Sequence, residues 1–394
     1  MLPCGAEVAH TTLRRSMVLF LHNSYRTTGG EERVVDELLW LVRERIGEPA
    51  ELMARSSQSL ARAGAAAALL RGGSDPEEVA MAVRLGRARA VHAHNLLPGF
   101  GWRALQAARS AGARVVLHLH QYRMVCAIGV CYTHGEECTR CSGRRTLPGV
   151  LRNCRGSLGE AVTYGASLAL WQRRLAAQAD ALIVPSRFAL KRLKELRAPL
   201  EWDRVHVLAP PLRLLEQPPS RDRAGDYALV VSRLSPEKGI DVAIDACRRV
   251  GLPLVIAGDG PERDALAARA RGGDVRMVGR VDDDHLQRLR AAAAVAVMPS
   301  RSGETFGLAA AEAMAGGLPV AASRVGALPE LVPEEALVPP DDAAALAGAI
   351  ERQLNDPGAA RLAREHAAAL CSPGRVASAL ADIYDGKRPR AKGP

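Results

Sequence analysis

Glu304 and Glu312 stand eight residues apart around the stretch TFGLAAAEAMAGG, and two cations, Arg233 and Lys238, lie in an earlier run, SRLSPEKG. A carboxylate accepts two hydroxyls at once, so one glutamate can grip a sugar and the other a ribose. Two cations match the charge of a diphosphate and can hold it without a metal. Four segments carry the same signature of a strand running into polar or glycine-rich chain: SRLSPEKG at 232–239, AGDGPE at 257–262, SRSGETFGLAAAEAMAGGLPVAAS at 300–323 and VGALPELV at 325–332. Where such a strand leads through glycine into a helix, free backbone N–H groups and a positive dipole end face the ligand, which suits phosphate. Taken singly, Glu312 reads equally well as a solvated helix residue and Glu304 as a helix-start carboxylate. Their combination with Arg233 and Lys238 is what points to a site.

The N-terminal half offers a second set. Gly29 and Gly30 follow the first apolar run and precede a helical one, so a phosphate or sugar can approach the backbone there. His94 and Asn95 in HAHN, and His118 and His120 in LHLHQYR, end two further strand-like runs. Five cysteines fall between residues 126 and 154; the pair Cys138–Cys141 has C-x2-C spacing, with Cys126 and Cys154 flanking it. Those four thiolates can make a tetrahedral structural zinc site, with Cys131 and His134 as spare ligands; reduced thiols in a loop are the plain alternative.

These residues need elements to position them. Apolar runs at 17–22, 88–95, 113–120 and 180–186 alternate with helical patterns, among them EERVVDELLWLVRER, in which Val34, Leu38, Leu41 and Val42 share a face. The Ala-rich run 60–73 has no distinctive pattern. The Pro-rich stretch 209–223 reads as a linker, after which the alternation restarts with YALVVSRL, PLVIAGDG, DVRMVGR, VAVMPSR and PVAASRV. The expectation is an α/β protein of two doubly wound, Rossmann-like parallel-sheet domains with ligands in the cleft between them. Residues 1–16 read as an N-terminal extension without the apolar core of a secretory signal, with Met17 an alternative start, and the tail GKRPRAKGP as disordered.

SRLSPEKG, followed by SGETFGLAAAEAMAGGLPV, closely resembles the retaining family 4 glycosyltransferases of GT-B fold, and the resemblance runs from LHNSYRTTGGEERVV to the last helices. It implies transfer of a sugar from a nucleotide-sugar with retained configuration and no obligatory metal. In that pattern Arg233 and Lys238 match the diphosphate clamps, Glu304 the contact to the donor sugar, and Glu312 the ribose ligand. Thr305, Phe306, Gly307 and Leu308 match the backbone stretch under the donor sugar and phosphates. Gly279, Arg280 and Val281 match the base-recognition region, and Gly29 with Gly30 the donor–acceptor junction. His120 matches a histidine beside the anomeric carbon, although Gln121 replaces the commoner acid or Asn. His94 and Asn95 are the acceptor-side candidates. The stretch through GVLRNCRGS resembles a segment of some such enzymes, which points to structural or acceptor-side use of the cysteines. The resemblance assigns 17–212 to an acceptor-binding domain with a cysteine-rich insert at 126–154, 213–223 to a linker, 224–375 to the nucleotide-sugar domain, and 376–394 to a C-terminal helix and basic tail.

Residues 1–220 carry 30 basic and 19 acidic groups against 23 and 24 in the remainder, so the N-terminal half leans toward an anionic partner. Only five of the 53 basic residues are lysine, which also fits a GC-rich coding sequence. No apolar run approaches the roughly 18–20 residues of a membrane span. The expected setting is cytoplasmic, at the inner face of the membrane if the stretch ASLALWQRRLAAQA docks there. The donor type, UDP, GDP, ADP or dTDP, is open. The acceptor reads as a glycan or lipid-linked polysaccharide intermediate, with a small soluble aglycone of antibiotic or thiol type as the alternative. A zinc-knuckle nucleic-acid-binding module is the non-enzyme alternative; aromatic residues make up only 4% of the chain, too few for base-stacking platforms, so no nucleic-acid partner is expected.

Overall fold

The computed structural model describes residues 16–24, 29–57, 61–218 and 225–388. Residues 1–15 of the N-terminal extension, 219–223 of the linker stretch and the last six residues of the basic tail therefore lie outside the described residues.

Eight strands fall in the first half: β1 (Met17–Ser24), β2 (Ala50–Ser56), β3 (Ala88–Ala93), β4 (Arg114–His118), a short hairpin of β5 (Tyr132–Thr133) and β6 (Glu136–Glu137), β7 (Ala181–Val184) and β8 (Val205–Val207). All but the hairpin form one parallel sheet ordered β2-β1-β3-β4-β7-β8. The second half repeats the plan with β9 (Ala228–Val231), β10 (Leu254–Ala257), β11 (Val275–Gly279), β12 (Val295–Met298), β13 (Val320–Ser323) and β14 (Leu337–Val338), ordered β11-β10-β9-β12-β13-β14.

Continuous apolar runs make these strands because both faces are covered. Along β1, Met17, Leu19 and Leu21 enter one core and Val18 and Phe20 the other, as the two-residue pleat requires. In β9, Leu229 faces one core and Ala228 and Val230 the opposite one. The helix Gly30–Leu41 buries Val34, Val35, Leu38, Leu39 and Leu41, and the Gly29 N–H donates to Glu32 Oε2 at 2.8 Å to close its first turn.

Three features were not legible beforehand. Strand β2 (AELMARS) is an edge strand with several exposed side chains, so it lacks an apolar run. The Ala-rich run forms a helix over Arg62–Arg71 that packs on the long helix Leu158–Ala177. The C-terminal helix Pro373–Tyr384 crosses back to the first domain, where Val376, Leu380, Ile383 and Tyr384 join the core built on Val18 and Phe20. No helix among the described residues is long and apolar enough to cross a membrane.

Candidate active site

Strand order reverses between β1 and β3 in one sheet and between β9 and β12 in the other, and such reversals open a crevice at the carboxyl ends of the strands. The two crevices face each other across one cleft of about 1310 Å³, lined by both domains.

From the second domain, the loop after β9 supplies Arg233 and Lys238, and the loop after β12 supplies Glu304. Lys238 Nζ donates to Glu304 Oε1 at 2.6 Å, and the Ser300 hydroxyl donates to the same oxygen at 2.7 Å. Burial works against the Glu304 carboxylate, but Lys238 and Ser300 outweigh it, so its pKa lies below the usual range and the group is ionised at neutral pH. Arg233 bonds to Glu237 and Ser235, with its side chain about half exposed to the cleft. Gly307 has φ +95° and starts the helix Leu308–Ala315; a Cβ there would meet Leu328 at 2.6 Å. The Leu308–Ala315 helix therefore presents its N-terminus to the cleft, with Thr305, Phe306, Gly307 and Leu308 among the lining residues.

Glu312 is buried between two arginines. Arg290 donates to one oxygen, and Arg33, from the other domain, donates to the second at 2.7 Å. Arg33 also bonds Asp283. Arg280 and Val281 line the cleft nearby; Gly279 does not, and its carbonyl instead accepts from the Gly258 N–H at 2.7 Å.

From the first domain, Gly29 and Gly30 line the cleft at the N-terminus of the helix Gly30–Leu41. A Cβ on Gly30 would sit 3.4 Å from Leu308, so the two helix N-termini approach each other across the cleft. His120 lines the same space. Its Nε2 bonds His94 Nδ1 at 2.8 Å, and its ring stacks on His118 at a centroid distance of 4.2 Å.

His94 and Asn95 do not reach the cleft surface, contrary to the acceptor-side expectation. They follow β3 directly, where the pleat buries them: His94 stacks on His92 and His118, and the Asn95 amide donates to the Asn23 carbonyl. His118 is likewise buried, and His92 bonds both His118 and the Tyr384 hydroxyl. Burial, reinforced by the neighbouring rings, drives His92 down to about 3 and lowers His94 and His118; in His120 burial outweighs the attraction of Glu31. All four imidazoles are neutral at pH 7. The donor atoms of His92, His94 and His118 lie within 4.8 Å of one another, the one such group among the described residues. Their rings are stacked, however, with interplanar angles of 24°, 9° and 29°, so the in-plane lone pairs run side by side and do not converge on an ion.

The fourth glycine-bearing segment, 325–332, does not line the cleft and packs against Glu304 instead. Gly326 has φ +62°, a Cβ on it would lie 2.2 Å from Glu304 N, and the Ala327 N–H donates to the Glu304 carbonyl at 2.9 Å. Arg33, Arg290, Ser300, Glu237 and Gly326 were not singled out from the sequence. GGEER shows a charged helix start, but nothing in it pairs Arg33 with a carboxylate 279 positions away.

Cys126, Cys138, Cys141 and Cys154 line one small cavity together with Cys131. None of the seven cysteines among the described residues is in a disulfide. The stretch ASLALWQRRLAAQA turns its apolar side inward: Leu168 and Ala176 are buried, and the Trp171 indole donates to the Leu70 carbonyl. Of its apolar side chains Leu170 is exposed, and further exposed ones lie upstream, at Leu147, Leu151, Leu158 and Val162.

Residues 225–356 match the family model described as Glycosyl transferases group 1. Among curated proteins, the chain is 39% identical over 181 residues to the glycogen synthase of Mycobacterium tuberculosis, covering 42% of this chain and 44% of that protein. It is 43% identical over 106 residues to the GDP-mannose-dependent alpha-(1-6)-phosphatidylinositol dimannoside mannosyltransferase of the same organism, covering 25% and 28%. These matches span less than half of either relative. Among solved structures, the sucrose-phosphate synthase of Thermosynechococcus elongatus superposes with TM-score 0.66 at 21% identity, covering 94% of this chain and 98% of that one. Anabaena HepE in complex with UDP gives 0.61 at 18% identity, covering 94% and 99%. The fold is therefore that of the GT-B glycosyltransferases, over nearly the whole chain.

Proposed function

We propose that the protein is a retaining glycosyltransferase that moves a sugar from a nucleotide-sugar to an acceptor hydroxyl. The observation that carries this reading is the convergence at one strand-order reversal of Lys238, Arg233, Glu304 and the N-terminus of Leu308–Ala315, faced by the helix that starts at Gly30. The match of residues 225–356 to a glycosyltransferase model supports it.

In this reading the donor diphosphate takes Lys238 and Arg233 from their present carboxylate partners and lies over the Gly307 turn. Two cations and a helix N-terminus neutralise the charge that develops on the leaving phosphate, so no metal is obligatory. Glu304, ionised, accepts the donor sugar hydroxyls, and Glu312 accepts the ribose hydroxyls with the lone pairs that Arg33 and Arg290 leave free. His120, neutral, holds the sugar beside the cleft wall. The bond from the anomeric carbon to the phosphate oxygen breaks while the acceptor oxygen bonds the same face, and the acceptor proton passes to the leaving phosphate oxygen. Double displacement with Glu304 as nucleophile is the second mechanism.

The acceptor we favour is a glycan or lipid-linked intermediate. Leu147, Leu151 and Leu158 are 59%, 77% and 64% exposed, and Arg140, Arg144, Arg145 and Arg152 lie on the same segment, which suits an anionic membrane face. One assay tests the reaction class: with a turned-over donor, proton NMR of the new linkage shows the same anomeric configuration as the donor. An inverted product overturns the retaining assignment.

A further inference from the structure

Between the end of β4 and the helix Leu158–Ala177 the chain forms only two two-residue strands and one five-residue helix, Leu147–Leu151. A stretch of that length with so little regular structure needs a staple, and no disulfide supplies one. At its centre five thiols, those of Cys126, Cys131, Cys138, Cys141 and Cys154, surround a single cavity of about 20 Å³, closed on its other sides by Ala127, Ile128, Pro148, Gly149 and Leu196. The rest of the wall offers neither carboxylate nor imidazole.

We propose that Cys126, Cys138, Cys141 and Cys154 hold one structural zinc ion in this cavity. The cluster combines a C-x2-C pair with one thiol from each flank, a set for which zinc is the common tetrahedral partner. The turn is already set around Cys126, whose backbone carbonyl accepts the Gly129 N–H at 3.0 Å. Cys131 is the most deeply buried of the five, with its carbonyl accepting the Cys138 N–H at 2.7 Å, and it stands outside the ligand set. No three sulfurs yet lie within 4.8 Å of one another. Tetrahedral bonds of about 2.3 Å bring sulfurs to about 3.8 Å, so the ion draws the thiols inward by rotation about χ1 and loses their protons to solvent on binding.

The site reaches the cleft through two short links. Ile128, Gly129 and Val130, between Cys126 and Cys131, line the cleft directly. Glu137, adjacent to Cys138, accepts the Gly303 N–H at 2.9 Å and is paired with Arg192, so the β5–β6 hairpin braces the loop that carries Glu304. Zinc would thereby fix both the wall beside His120 and the position of Glu304.

The test is metal analysis of the full chain purified without chelator or added metal, by inductively coupled plasma mass spectrometry. The expected content is close to one zinc per chain, released as mercurial reagent titrates the thiols and reported by a chromogenic chelator. Cys138→Ser and Cys141→Ser lose the zinc, whereas Cys131→Ser keeps it. Cobalt(II) replacing zinc in the wild-type chain gives the intense visible bands of a tetrahedral thiolate site. Wild-type protein without stoichiometric zinc overturns the proposal, independently of how any variant folds, as do iron in its place, a mass two daltons light from a disulfide, or loss of zinc in Cys131→Ser alone.

Discussion

Lys238 and Glu304 form a partly buried ion pair at 2.6 Å across the strand-order reversal of the second sheet, one from the loop after β9 and the other from the loop after β12. The pair keeps the phosphate-binding cation and the sugar-binding carboxylate in register before any donor arrives. Each is the other's counter-ion, so removing one changes the protonation of its partner as well as the contact.

That coupling separates three substitutions. Arg233→Ala, Lys238→Ala and Glu304→Ala each lower kcat by about 10²–10³-fold, the scale of one lost electrostatic contact in a transition state. Arg233 is about half exposed but its partner Glu237 is buried, so Arg233→Ala leaves that carboxylate mainly to the Ser235 hydroxyl and lowers thermal stability as well. Lys238→Ala strands the Glu304 carboxylate, held then only by Ser300, and costs about 3 kcal/mol. Thermal unfolding beside steady-state kinetics checks both parts. Near wild-type rates in any two variants contradict the assignment.

Gly326 gives a sharper test of how Glu304 is placed. Gly326→Ala puts a methyl group 2.2 Å from Glu304 N at a backbone φ of +62°, so the Glu304 loop must move and turnover falls about a hundredfold. Gly272 has φ +75° with open space around it, so Gly272→Ala carries the backbone strain of about 1 kcal/mol without the clash. The two variants lose similar stability from strain, and only the first loses activity. Equal activities contradict this role for Gly326.

The histidine stack predicts an acid-sensitive fold. His92, His94, His118 and His120 all have folded pKa values below their ordinary 6.5, through burial first and neighbouring rings second in the case of His92. Unfolding lets each take up a proton once the pH drops below about 6.5, so their contribution is complete above that pH and is lost as pH falls toward the folded values. Four such groups give a limiting slope of about 5 kcal/mol per pH unit. Denaturant midpoints at pH 7.5, 6.5 and 5.5 should be level over the first interval and drop over the second. A flat profile to pH 5 shows that the imidazoles are accessible to protons in the folded state.

Much of this site was legible because its parts are local. SRLSPEKG and SGETFGL each announce a strand-to-helix turn and the charges on it, and the E-x7-E spacing follows from one loop and one helix. What stayed hidden depends on tertiary distance. Arg33 reaches Glu312 only when two domains close on each other, and Gly326 matters only because its missing Cβ makes room for Glu304. His94 and Asn95 misled because a strand-end residue in a parallel sheet can point toward the crevice or into the layer beneath, and here both go inward. In the second sheet, β14 has only two residues, too few for periodicity to register.

The central claim is a nucleotide-sugar site that needs no divalent cation, and a thermal-shift panel tests it most directly. UDP, GDP, ADP, dTDP and their common sugar conjugates are added to the protein in magnesium-free buffer, then with Mg²⁺. Stabilisation by one nucleotide family without Mg²⁺, amounting to about 3 kcal/mol at a ligand concentration of about 100 Kd, is the predicted result and names the base. Stabilisation by none of them, or only after Mg²⁺ is added, contradicts the account.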